Sequence, residues 1–271
     1  MKFLTISLTL LLIVVQLQAQ SIYSPVSAKV IGLADATVAM EGYWSSYRNI
    51  AGITSTSGIE VGASYENKYS LPSMNIMAVG ITSKLPFGYT AINVMRFGGD
   101  IYNEHKATLG YATEIGIIKI GLNVNYLQVS VLDFGVRNAF SFDFGGIASL
   151  TPKLKIGAQA LNISQSKLGS VSAQRIPTLL KMGVSYTPQE YILFNVELEK
   201  DILFPTQLKI GAEYNFLKKF YLRAGMRSAS YQTFYGLGIE FIDINWDYAL
   251  SNHAELGISH SISIHYSLKR R

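Results

Sequence analysis

Acid–base or metal chemistry in a chain without cysteine falls first to its four histidines, His105, His253, His260 and His265. An imidazole can act as a general base or bind a metal, given a serine, carboxylate or second ligand within reach. The spacing supplies no such partner. His105 and His253 fall at loop edges, His265 points inward by strand parity, and His260 shares the outward face with Ile258 and Ile262. Asp100 and Asp133 stand isolated, so no calcium loop is formed. Gly236-x-Gly238 lies inside a strand with no helix behind it, which removes it as a dinucleotide fingerprint. We therefore expect no catalytic residue, no cofactor and no metal. The absence of Cys from all 271 residues excludes disulfides and thiolate metal sites. A net charge of +5, with no basic stripe beyond Lys269, Arg270 and Arg271, points away from nucleic acid.

A second pattern says more. Lys119-Ile120-Gly121, Lys155-Ile156-Gly157, Lys181-Met182-Gly183 and Lys209-Ile210-Gly211 each put a cation and a glycine on one face, with an apolar residue opposite. Their irregular spacing argues for convergence on one environment rather than for duplication. Glu197, Glu199, Glu213, Glu240, Asp143, Asp243 and Asp247 share that face with the lysines, Arg223 and Arg227. Buried charges need partners, so the first reading is a self-neutralising network that stiffens the structure. An anion-conducting path is the second.

The elements that must carry these faces alternate strictly with period two. Fourteen such segments run from Ile59–Glu66 to Leu256–Leu268, each roughly nine to eleven residues, the length that crosses a bilayer at a tilt. Every other connection is a tight turn, such as Pro86-Phe87-Gly88 or Ile242-Asp243. Most of those on the opposite side, Gly98–Glu104, Val129–Arg137 and Ser164–Pro177 among them, are longer, with Ala229-Ser230 the exception. Short inner turns facing longer outer loops is the asymmetry of an outer-membrane barrel. A soluble sandwich would alternate too. Glycine on the polar face decides between them: Gly62, Gly110, Gly121, Gly157, Gly183, Gly211 and Gly225 invite close approach of another backbone. The composition agrees, with 49% hydrophobic and only 15% charged residues, against roughly 25% charged in soluble domains. The expected fold is all-β: a 14-stranded antiparallel transmembrane β-barrel.

Ahead of the strands lie two further regions. Residues 1–19 read as a signal peptide, with Lys2 before the apolar run Phe3–Val15 and Ala19 at the cut. With no Cys near that cut, no lipoprotein anchor is expected. Residues 20–57 read as a plug in the lumen and residues 58–271 as the barrel. Within Ser27–Ile53 small residues alternate with isolated larger ones, which suits packing against backbone on several sides.

Gly32-Leu33-Ala34-Asp35-Ala36-Thr37-Val38-Ala39, then Trp44-Ser45-Ser46 and Asn49-Ile50-Ala51-Gly52-Ile53, resembles the N-terminal signature of the PorV/PorQ proteins. These belong to the FadL-like superfamily of outer-membrane barrels in Bacteroidetes. The family pattern reads Asn-Pro-Ala-Gly, and Ile50 replaces its Pro here. The resemblance implies a Gram-negative outer membrane, contact with its lipid, and a non-enzymatic role in type IX secretion or surface-protein handling. Its partners would be secretion-system proteins or exported cargo. The alternative is a FadL-like passive transporter with a hydrophobic small-molecule ligand. Gly32, Trp44, Asn49, Ala51 and Gly52 would seat the plug, and Lys119, Lys155, Lys209, Glu213 and Arg223 would line the lumen. Lumen positions read as mostly Gly, Asn, Lys and Glu, which disfavours the transporter. Val129–Val136 and Ile202–Pro205 read as exposed apolar loops for a secretion partner.

Overall fold

The computed structural model describes residues 26–169, 174–228 and 231–268; the expected signal peptide lies outside them. A short helix, α1 (Ala28–Gly32), and two 3-10 turns, Tyr43–Tyr47 and Ile50–Ser55, precede the strands. The first seven strands are β1 (Ile59–Asn67), β2 (Asn75–Leu85), β3 (Gly88–Gly98), β4 (Tyr102–Ile115), β5 (Ile118–Val131), β6 (Gly135–Thr151) and β7 (Leu154–Leu161). A two-stranded hairpin, β8 (Lys167–Leu168) and β9 (Gln174–Arg175), follows. The chain then returns through β10 (Leu179–Gln189), β11 (Ile192–Asp201), β12 (Gln207–Phe216), β13 (Phe220–Arg227), β14 (Gln232–Phe241), β15 (Ile244–His253) and β16 (Gly257–Leu268).

Fourteen of these strands form one closed antiparallel barrel, in which β7 pairs with β10 and β16 returns to β1. Closure leaves no ladder edge exposed, which is what a membrane requires of a sheet. The two faces sort as the alternation predicted. On β5, Leu122 points out while Asn123 and Asn125 are buried; on β13, Leu222 and Met226 point out while Arg223 is buried. The strand count, and the two faces of strands such as β5 and β13, were therefore legible beforehand.

The connections differ in one region. β4, β5 and β6 extend over 14, 14 and 17 residues, so the expected loops Gly98–Glu104 and Val129–Arg137 shrink to tight turns. Packing drives the extension. Val129, expected in an exposed loop, is 5% exposed and packs with Leu127 against Leu168 and Ile176 of the hairpin region. Of the apolar side chains in that stretch only Leu132, Phe134 and Val136 are exposed, while Ile202 and Leu203 stay exposed as expected. His105, expected at a loop edge, lies inside β4, opposite Arg96 and Gln128. His260 does face outward, where its Nδ1 meets the Tyr248 hydroxyl at 2.8 Å near the loop end of the wall.

Candidate functional site in the bore

Residues 26–57 lie against the inward faces of the strands, most of them buried. Local chemistry shapes this path. Ser27 caps α1 by accepting from the Val30 amide, and the chain then bends through Ala34 and Asp35 at φ of 55° and 62°. Aspartate tolerates that left-handed region better than most residues. Asn49 caps the second 3-10 turn by accepting from the Ala51 amide at 3.3 Å. Its amide nitrogen donates to the carbonyls of Val38 (2.7 Å), Gly146 (3.0 Å) and Ala158 (3.3 Å), joining two stretches of the segment to β6 and β7.

Three ion clusters fix the segment and the wall. In the first, Asp35 takes Lys209 at 2.8 Å, Lys181 at 3.5 Å and Arg48 of the segment itself. Glu199 binds the same two lysines at 2.8 and 2.7 Å, and Glu197 binds Lys209 at 3.1 Å. The second Glu197 oxygen accepts from the Thr37 and Val38 amides, both at 2.9 Å. In the second cluster, Glu41 joins Lys119 (2.7 Å) to Lys155 (2.8 Å). In the third, Arg223 links Glu213 (2.5 Å) to Asp247 (2.6 Å) within the wall.

Burial alone would raise the Asp35 carboxyl, but Arg48, Lys181, Lys209 and Arg227 outweigh it and hold the group well below the usual carboxylate range. The sign of the pH dependence follows. A depressed folded-state pKa contributes stability above the unfolded value, about 3.9, and loses it only as pH falls through the lowered value. Acidification from about pH 7 to about pH 5 therefore leaves the segment in place. Amide exchange at Thr37 and Val38, corrected for intrinsic rates, should stay equally protected; faster exchange at the lower pH would contradict this.

Backbone contact explains the glycines. A Cβ on Gly62 would strike Tyr43, one on Gly110 or Gly121 would strike Ile50, and one on Gly211 or Gly225 would strike Leu33 or Ala34. Gly157 and Gly183 meet Val38 in the same way. All seven glycines singled out from the sequence thus touch the segment, and Gly145 (against Asn49) and Gly236 (against Gly32) belong with them. Gly52 serves the segment's own fold, since a Cβ there would lie 2.5 Å from the Met40 carbonyl oxygen.

Above and below this girdle the bore changes character. Toward the loop end, Ile76, Ala78, Met95 and Phe97 face inward and cluster with Val26, Val30, Tyr43 and Trp44. That apolar lining corrects the expectation of a lumen mostly of Gly, Asn, Lys and Glu at this end of the bore. Toward the turn end lies a cavity of about 230 Å³ bordered by Lys29, Glu41, Glu60, Arg223, Glu240 and His265. His265 stacks on Tyr43 at 4.7 Å and bonds Glu60 through Nε2 at 3.0 Å. Ser267 approaches that same nitrogen at 3.5 Å, while Asn245 takes Nδ1. A catalytic triad needs serine and carboxylate on opposite ring nitrogens, so this grouping is structural.

The predicted residues therefore sit in separate places. Lys119 and Lys155 meet on Glu41, Lys209 belongs to the Asp35 cluster, and Arg223 and Glu213 pair within the wall. Asp35, Glu41 and Arg48 were missed. Their signal was slight: isolated charges in a stretch otherwise small and apolar.

No family model and no curated protein matches the chain. Solved structures do. The toluene transporter TodX of Pseudomonas putida has a TM-score of 0.71 at 11% identity, over 90% of this chain and 99% of that one. A Pseudomonas aeruginosa FadL homologue has a TM-score of 0.66 at 10% identity, covering 89% and 98%. The Acinetobacter baumannii outer membrane protein Omp33 reaches 0.52 at 7% identity, covering 78% and 98%. At such identities the likeness is one of fold.

Proposed function

We propose that this chain is an outer-membrane barrel that passes hydrophobic small molecules, with residues 26–57 as a plug that must shift for passage. The apolar inward cluster at the loop end carries the reading. Ile76, Met95 and Phe97 are buried under Val26, Val30, Tyr43 and Trp44; once the segment shifts they offer a surface that takes an apolar solute out of water, at roughly 25 cal/mol per Å² buried. The ion-paired, glycine-ringed floor beneath holds the segment, and so keeps this surface covered until the segment moves. The fold shared with a protein named as a toluene transporter supports the same class. The apolar outward face supports a membrane setting, and the loop-length asymmetry supports placing the loop end outside the cell.

The test is uptake of a labelled aromatic hydrocarbon by Gram-negative cells that express the protein and lack a hydrocarbon channel of their own. Phe97→Glu, which puts a charge into the apolar entry, should reduce protein-dependent uptake at least tenfold while the barrel keeps its heat-modifiable gel mobility. Uptake no faster than in cells without the protein, or unaffected by Phe97→Glu, rejects the reading.

A second reading, the PorV/PorQ role in type IX secretion, is favoured by the Asn49–Gly52 signature and the exposed Ile202 and Leu203. Gentle purification from native membranes separates the two. Secretion components in the eluate favour this reading, and bound hydrophobic molecules favour transport.

A further inference from the structure

The outer wall is uneven where β15, β16, β1, β2 and β3 adjoin. Ala63 is the small residue there, with Val61 and Tyr65 beside it on β1 and Ile264 and Val79 across the ladders. The dip is an apolar groove of about 540 Å³, walled by Tyr65, Met77, Val94, Trp246 and Ile262. A single charged residue, Arg96, lines it.

Arg96 continues the outward face of β3 after Ile92 and Val94, which are 54% and 46% exposed. It lies between Met77 of β2 and His105 of β4 in the ladder, two residues short of the loop end at Gly98. Among the described residues it makes no ion pair or hydrogen bond, unlike Arg48, Arg223 and Arg227 in the bore. A guanidinium on a lipid-facing wall is tolerated only near the interface, where an anion can reach it. The protein offers none, so the membrane must. Its anions are headgroup phosphates, which match the planar fork of arginine donors. The groove leads from Arg96 toward Val94 and Trp246, deeper into the hydrocarbon.

We propose that this groove is a binding site for one anionic membrane lipid, with the headgroup phosphate on Arg96 and an acyl chain lying over Ala63. The inference requires that the barrel span a bilayer, and the experiment separates that requirement from the site itself. The chain has two tryptophans; Trp44 is buried in the bore and Trp246 lines the groove. Trp246 fluorescence therefore reports a brominated acyl chain in contact with it. The full-length protein is reconstituted in phosphatidylcholine carrying a minor fraction of lipid brominated on the acyl chain. Brominated phosphatidylglycerol should quench several-fold more than brominated phosphatidylcholine at equal fraction. Arg96→Gln should abolish that preference, and Ala63→Phe, which fills the groove, should lower quenching by both lipids. Unlabelled lipid A that restores fluorescence assigns the occupant to lipopolysaccharide chemistry; failure to restore it assigns a phospholipid. Equal quenching by the two brominated lipids, or a preference that survives Arg96→Gln, overturns the site. No quenching by either overturns insertion of the barrel.

Discussion

Replacing Asp35 with Asn releases residues 26–57 from the bore. The exchange keeps the shape of the side chain and removes its charge. Arg48, Lys181, Lys209 and Arg227 then face the carboxylates Glu197 and Glu199 with one negative charge fewer, in a site where Lys209 and Glu197 are each 1% exposed. Removing one partner of a buried ion group costs about 3–5 kcal/mol, because the remaining charge can neither pair nor hydrate. A loss of about 4 kcal/mol multiplies the open population by several hundred, at a factor of ten per 1.4 kcal/mol. The cluster is the one that ties the bend of the segment to β10, β11 and β12, so its relief is withdrawal of the segment toward water. Two measurements read that event. Trypsin, excluded from buried Arg48 in the closed state, should cut there on the order of hundreds of times faster. Single-channel recording should show ion conductance that the unaltered protein lacks. Adding Lys181→Met restores the charge balance and should recover most of the protection. A variant as resistant and as silent as the unaltered chain would mean that the cluster does not hold the segment.

That charge cluster also marks where sequence reading ran out. The barrel was legible because alternation with period two, repeated over fourteen segments, has few other structural meanings. The glycines were legible because a side chain on any of them collides with the segment. Asp35 left no comparable trace. Its two lysine partners stand 146 and 174 residues away, and its own neighbours Ala34 and Ala36 suggest only tight packing. The apolar entry was missed for another reason. On β2, inward Ile76 and Ala78 alternate with outward Met77 and Val79, so both faces are apolar and parity gives no contrast. The polar inward faces of β5, β12 and β13 were extended to strands where they do not apply. The long ends of β4 and β6 were hidden by Asn103, Glu104 and Arg137, polar residues that resemble a loop unless cover from the β8–β9 region is known. Ile50 shows the same limit. Where the resembling signature has Pro, this chain carries a side chain that packs with Ile53, Ala91 and Ala112 and fills the space beside Gly110 and Gly121.

Gly157→Val should leave the barrel intact and the bore empty. Gly157 stands opposite Gly183 across the β7–β10 ladder, and the pair forms a gap into which the Val38 backbone fits. A Cβ at Gly157 would collide with the Val38 carbonyl oxygen and lie 2.7 Å from the Ala39 Cα. Both are main-chain atoms, so no rotamer change relieves the clash. Overpacking of this kind costs about 1–3 kcal/mol. Moving Val38 away also strains the two hydrogen bonds that the Thr37 and Val38 amides donate to Glu197, and a hydrogen bond to a charged group is worth about 1.5–3 kcal/mol. The strand itself gains, since valine suits an extended backbone better than glycine does. The substitution thus separates the stability of the barrel from occupancy of its bore. Gly146→Val is the matched control: it lies on the neighbouring strand, and a Cβ there meets nothing closer than 3.5 Å. Heat-modifiable mobility should persist in both variants, whereas rapid tryptic cleavage at Arg48 should appear in Gly157→Val alone. Equal protection in the two would show that Val38 can move without freeing the segment, and that the glycine girdle serves the wall rather than its contents.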